Sequence, residues 1–204
     1  MTWVPKSDQK LVQIVDAALA EAARTSGAWL VCKPGCTQCC VGPFAISQLD
    51  AARLYRGLEE LERTDPKRAK DVRSRAQDSV SRLAKDFPGD PMTGILSDSE
   101  DAEARFEEFA DAEVCPALDP RDGTCDLYSS RPMTCRTFGP PVRSGEEGGL
   151  GVCELCYHGA SDEQIAACEM VPDPDDLESQ VLKEMEKKTG KHGNTIVAFC
   201  LAKE

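Results

Sequence analysis

Four cysteines fall within CKPGCTQCC, at Cys32, Cys36, Cys39 and Cys40. Two or three intervening residues let successive sulfurs turn back toward one soft metal ion, and Gly35 supplies the backbone freedom for the turn. Cysteines that serve only as small buried hydrophobes do not bunch in this way.

A second group follows in CPALDPRDGTCDLYSSRPMTCR, at Cys115, Cys125 and Cys135, and then in CELC, at Cys153 and Cys156. One zinc ion takes four ligands, so the nine thiols imply either two zinc ions or an iron–sulfur cluster. The adjacent pair Cys39 and Cys40 favours a polynuclear centre, because neighbouring side chains diverge and reach different metals more readily than one tetrahedral ion. Clustered thiolates carry negative charge that cations must offset. Arg131 and Arg136, on either side of Cys135, are the candidates to bind the cofactor through sulfur or a carboxylate, and Phe138 is placed to keep water away.

Other polar residues read differently. His158 and His192 are the only histidines, so the ligand set is essentially all sulfur, and neither is taken as a ligand. Cys168, within an expected helix, and Cys200, in an apolar tail, read as core cysteines. Tyr128 reads as core. Asp119, Asp122 and Asp126 sit beside glycine and proline as turn residues, and are the only candidate acids if the centre is catalytic.

Composition limits the setting. The chain has 204 residues, 41% hydrophobic but only 5% aromatic, with 29% charged and a formal net charge of −12. This suits a mainly helical globular protein and repels phosphate backbones and anionic lipid, so nucleic acid is not an expected partner. No apolar run is long enough to span a membrane. Charges at Lys6, Asp8, Lys10, Asp16 and Glu21 break any secretory core, so the expected compartment is the cytoplasm. Thiols there stay reduced, which turns eleven cysteines toward metal rather than disulfides.

The positioning elements are helices. Leu11, Ile14, Val15, Ala18, Leu19 and Ala22 share one face of a helix that follows Ser7 and closes at Gly27. Ser47 with Asp50 opens a second, and Asp65-Pro66 opens a third with a sparse apolar face of Val72, Val80 and Leu83. A loop at 87–91 precedes a short acidic helix over 97–110 with Phe106 and Phe109 inward. Proline and glycine make 114–157 irregular, and a metal centre is the expected source of its order. Helices over 161–168 and 175–188 follow, and 195–201 is not assigned. The expectation is one mainly α domain over 1–204, with a core at 30–160 and helical flanks, whose long cysteine-rich loop region is organised by a metal centre shared between the two cysteine groups.

These motifs, CxxxCxxCC, CPxLD, GTCxLY and RPxxCRxFG, resemble the YkgJ-type cysteine-cluster family, a zinc- or iron-chelating domain, over 32–156 with the helices of 47–109 as a variable middle. The resemblance implies Cys32, Cys36, Cys39, Cys40, Cys115, Cys125 and Cys135 as metal-site residues, completed by Cys153 or Cys156. A weaker likeness to flagellin lysine-N-methylases implies an iron–sulfur centre and protein methylation, although no glycine-rich S-adenosylmethionine loop is present. Three functions follow as expectations: a metal-binding protein with an iron–sulfur cluster or zinc and a protein partner; a metal-dependent methylase-like or redox enzyme; and a thiol redox sensor pairing Cys39 with Cys40 or Cys153 with Cys156.

Overall fold

The computed structural model describes residues 3–144 and 149–203. Part of the glycine-rich run at 145–151 lies outside them. The described chain is mainly α: α1 (Ser7–Ser26), α2 (Gln48–Thr64), α3 (Pro66–Leu83), α4 (Glu100–Glu107), α5 (Met133–Thr137), α6 (Asp162–Ala166), α7 (Leu177–Thr189) and α8 (Val197–Leu201). Two small antiparallel hairpins accompany them, β1 (Gly89–Asp90) with β2 (Ile95–Leu96) and β3 (Val142–Ser144) with β4 (Gly149–Gly151). No helix among the described residues is long and apolar enough to cross a membrane.

The chain divides into two compact units. The larger comprises Met1–Val4, Pro34–Pro132 and Leu182–Glu204, and the smaller Pro5–Lys33 and Met133–Val181.

In the larger unit, α2 begins where the Ser47 hydroxyl accepts the Asp50 N–H at 3.2 Å, and α3 where the Asp65 carboxylate accepts the Arg68 N–H at 3.0 Å ahead of Pro66. Each cap satisfies an orphan donor of a first turn. The core joins Leu54 and Leu58 of α2, Val72 and Ala76 of α3, and Val197 and Leu201 of α8. Gly57 lets α2 approach the turn Tyr128–Ser130 closely, since a Cβ there would meet the Ser130 hydroxyl. An aromatic cluster of Phe87, Phe109 and Phe199 packs with Leu83 and Ile196. The segment 195–201 is therefore core: Thr195 pairs with Ile46, and Ile196 to Leu201 are all buried.

In the smaller unit, α1 starts at Ser7 itself, with no side-chain cap at Lys6, and ends as expected at Gly27, whose φ is 51°. It packs on α5, and the deeply buried Arg136 donates from Nη1 to both Asp16 oxygens at 2.6 and 2.8 Å. The capping box of Ser161 and Gln164 opens α6, which stops at Ala166. Cys168 thus lies in the turn beyond the helix rather than inside it.

Two further expectations change. The acidic helix is shorter than 97–110, because Ser99 caps it and the chain has left α geometry by Ala110, at φ 58°. The stretch 114–157 is not wholly irregular, since it contains the Tyr128–Ser130 turn, α5 and the β3–β4 hairpin.

Candidate metal centre

In the larger unit, short backbone pairings gather the cysteines. Gln38–Cys40 forms one tight helical turn, closed by the Cys40 N–H on the Thr37 carbonyl at 2.8 Å. Val41 then pairs with Val114, and the Cys115 N–H reaches the Cys40 carbonyl at 2.8 Å. Leu118 pairs with Cys125, so the 115–125 segment doubles back on itself. Its turn is built by the aspartates: Asp119 accepts the Arg121 N–H and Asp122 the Thr124 N–H, both at 2.9 Å. These two are turn residues, as their sequence setting indicates.

Asp126 has a different task. Its carboxylate is fully buried and paired with Arg68 and Arg75 of α3, and Arg75 also donates to the Pro116 carbonyl at 2.9 Å. Two arginines on one face of α3, two turns apart, thus grip both arms of the cysteine hairpin.

The thiols of this set feel one another. Hydrogen bonding between the neighbouring Cys39 and Cys40 thiols lowers Cys39 to about 6 and raises Cys40, which is half-buried and feels Cys115 and Cys125 as well. Burial pushes Cys115 up to about 12, and Cys125 and Cys39 nearby add to the rise. Cys125 is raised chiefly by burial too. Backbone N–H groups act the other way, those of Ala117 and Leu118 on Cys115 and that of Leu127 on Cys125. Arg131 is buried, lies over the Tyr128 ring at 4.0 Å, and favours the thiolate forms of Cys39 and Cys125. Cys36 is half-buried in the same unit.

The remaining candidate cysteines, and Cys168, belong to the smaller unit. Cys135 rides on α5. Cys153, Cys156 and Cys168 are buried with Tyr157, Trp29 and Leu30. Cys32 is exposed, and its Sγ is 4.0 Å from that of Cys156. Among the described residues no disulfide forms, and no group of three or more His, Cys, Asp or Glu is already arranged around a single point as a metal cage. In donor chemistry the sets fit a soft metal: thiols, with N–H groups and a guanidinium to offset thiolate charge.

Several side chains differ from their sequence reading. Tyr128 is 62% exposed rather than core, and its ring serves Arg131. Phe138 is 43% exposed. Arg136 is engaged with Asp16. Cys168 and Cys200 are buried, as expected, and His158 and His192 are exposed. Sequence reasoning missed Arg68 and Arg75, which look like ordinary charges on a helix. It also missed Tyr157, whose hydroxyl meets Ser26 Oγ at 2.5 Å; no local pattern marks such a long-range pair.

Helices that present paired-back, thiol-bearing loops define a mainly α cysteine-cluster protein. The chain belongs to the CxxCxxCC family, described as "Putative zinc- or iron-chelating domain", whose model matches residues 31–156. Its own first motif is one residue longer, CxxxCxxCC, and Gly35, at φ 88°, stands in the lengthened gap. Neither the curated proteins nor the solved structures yield a match.

The raised thiols set a pH dependence for the metal-free protein. Cys115 and Cys200 titrate near 12 when folded, against 9.0 for an ordinary thiol. Between those values the folded state keeps protons that the unfolded state has lost, so stability is full below about pH 9 and falls as pH rises toward about 12. Each such thiol contributes a slope of roughly 1.4 kcal/mol per pH unit. Melting temperature measured across that window should drop, and less steeply in Cys200→Ala. A flat profile contradicts the burial of these thiols.

Proposed function

We propose that this protein holds an iron–sulfur cluster through cysteine thiolates, with zinc as the alternative occupant. The observation that carries this reading is the backbone pairing that brings the half-buried Cys39–Cys40 pair against Cys115, and Cys115 back toward Cys125 on one hairpin, with the buried Arg131 favouring the thiolate forms of Cys39 and Cys125. Family membership supports metal chelation in general. The preference for iron–sulfur rests on the all-sulfur donors, on the adjacent pair Cys39 and Cys40, and on the N–H groups turned toward sulfur, which stabilise cluster thiolates.

In the larger unit Cys36, Cys39, Cys40, Cys115 and Cys125 supply the thiolates, and in the smaller Cys32, Cys135, Cys153 and Cys156. Bound metal supplies redox or Lewis-acid chemistry, and the chain's own groups hold the sulfurs, neutralise their charge and exclude water. Thiols kept for metal suit a reducing compartment such as the cytoplasm.

The test is anaerobic purification followed by iron, zinc and acid-labile sulfide analysis with an absorption spectrum. Iron and sulfide in comparable amounts, with charge-transfer bands in the visible range, are expected. Zinc without sulfide moves the assignment to the alternative. A folded, metal-free protein whose Cys39, Cys40, Cys115 and Cys125 all alkylate at the rate of an exposed thiol overturns metal binding.

A further inference from the structure

Cys32 and Cys156 are 124 positions apart in sequence, yet their sulfurs stand 4.0 Å apart. The segments that carry them are tied together, since the Tyr157 N–H donates to the Trp29 carbonyl at 3.0 Å. Gly139 keeps the approach open: a Cβ at that position would come within 3.0 Å of Cys32 Sγ. The two thiols differ in access. Cys32 is exposed, whereas Cys156 is 4% exposed and packs against Cys153, Tyr157 and Cys168.

A disulfide bond is about 2.05 Å long, so closure moves the sulfurs together by about 2 Å, within the range of a χ1 change at the exposed residue. An accessible thiol beside a sheltered one is the arrangement of an attacking cysteine with its resolving partner.

We infer that Cys32 and Cys156 form a reversible oxidation site for hydroperoxides. The Cys32 thiolate attacks one peroxide oxygen; the O–O bond breaks, an S–O bond forms, and water or an alcohol leaves. The Cys156 sulfur then attacks Cys32 Sγ, forming the S–S bond as the S–O bond breaks and a second water departs. The two thiols lose two electrons and two protons, which the peroxide takes up. Reduction by an external dithiol restores them. The inference stands on the thiol pair in the metal-free chain and does not rest on the iron–sulfur reading. Its consequence for that reading is the withdrawal of two thiolates from the smaller unit's donor set.

The experiment treats the full, chelator-stripped chain with an equimolar amount of hydrogen peroxide, blocks remaining thiols, and maps peptides without reduction. Fragmentation must separate Cys32 from Cys36 and Cys153 from Cys156. A Cys32–Cys156 crosslink, lighter by two hydrogen atoms and reversed by dithiothreitol, is the expected main product. In Cys156→Ser, Cys32 should accumulate as a sulfenic acid captured by dimedone. In Cys32→Ser, oxidation of Cys156 should slow by at least ~10-fold, because the accessible thiol is gone. Bonds formed mainly at Cys39–Cys40 or Cys153–Cys156, or equally fast oxidation of Cys156 without Cys32, overturn the assignment.

Discussion

Cys115→Ser and Cys125→Ser are each expected to strip most of the metal from anaerobically purified protein, while Cys200→Ala leaves the metal content unchanged. Both site cysteines sit on one backbone hairpin whose arms pair at Leu118 and Cys125, so a single lost sulfur cannot be replaced by a neighbour without unzipping it. Loss of an outer hydrogen-bond partner costs 10–100-fold in metal affinity, and loss of a ligating sulfur should exceed ~100-fold. Cys200 is more deeply buried than either, in the apolar core against Ala51, where its S–H meets the Ala51 carbonyl at 3.5 Å. It therefore controls for general damage. Metal per chain, with helicity as a folding check, decides the matter: full occupancy in both serine variants would remove Cys115 and Cys125 from the ligand set.

The second large effect is expected at Asp126. Its carboxylate has no exposed surface and meets Arg68 and Arg75, whose side chains are 35% and 27% exposed. Breaking a fully buried pair costs about 3–5 kcal/mol; water reaching the arginines softens this, and Asp126→Ala should cost about 2–4 kcal/mol. Urea denaturation of the metal-free protein measures it. The same change frees the hairpin arms that Arg75 holds at Pro116, so metal affinity should fall by roughly 10–100-fold as well. Asp126→Asn, which keeps one acceptor, should fall between the two. An Asp126→Ala protein with parental stability and affinity would mean that the arginine grip is incidental.

The parts of the fold that were readable lay in local patterns. Ser47 with Asp50, and Asp65 before Pro66, mark helix starts because capping is decided within three or four residues. Cys168, from its expected helix, and Cys200, from its apolar tail, read as core cysteines; both are buried, although Cys168 lies beyond the end of α6. Long-range burial was not readable. The short run 195–201 gives too few residues for a period, yet α2 and α3 bury it completely. Tyr128 looked like core by residue type, but its ring lies outside against Arg131, a placement fixed by where the 128–130 turn meets Gly57. At the site, sequence named the sulfurs but not the arginines of α3, because the partner that distinguishes Arg68 from its neighbours is 58 residues away.

Both compact units are assembled from separated stretches of chain: the larger needs 34–132 and the closing segment from Leu182, and the smaller needs 5–33 and 133–181. On a ribosome the chain emerges from its N-terminus at a few residues per second, and units normally fold as they are completed. Here α1 waits for α5, and the α2–α3 pair waits for α8. The 115–125 hairpin leans on Cys40 and on Arg68 and Arg75 of α3, all of which precede it in the chain, so its contacts can close before either hydrophobic core is complete.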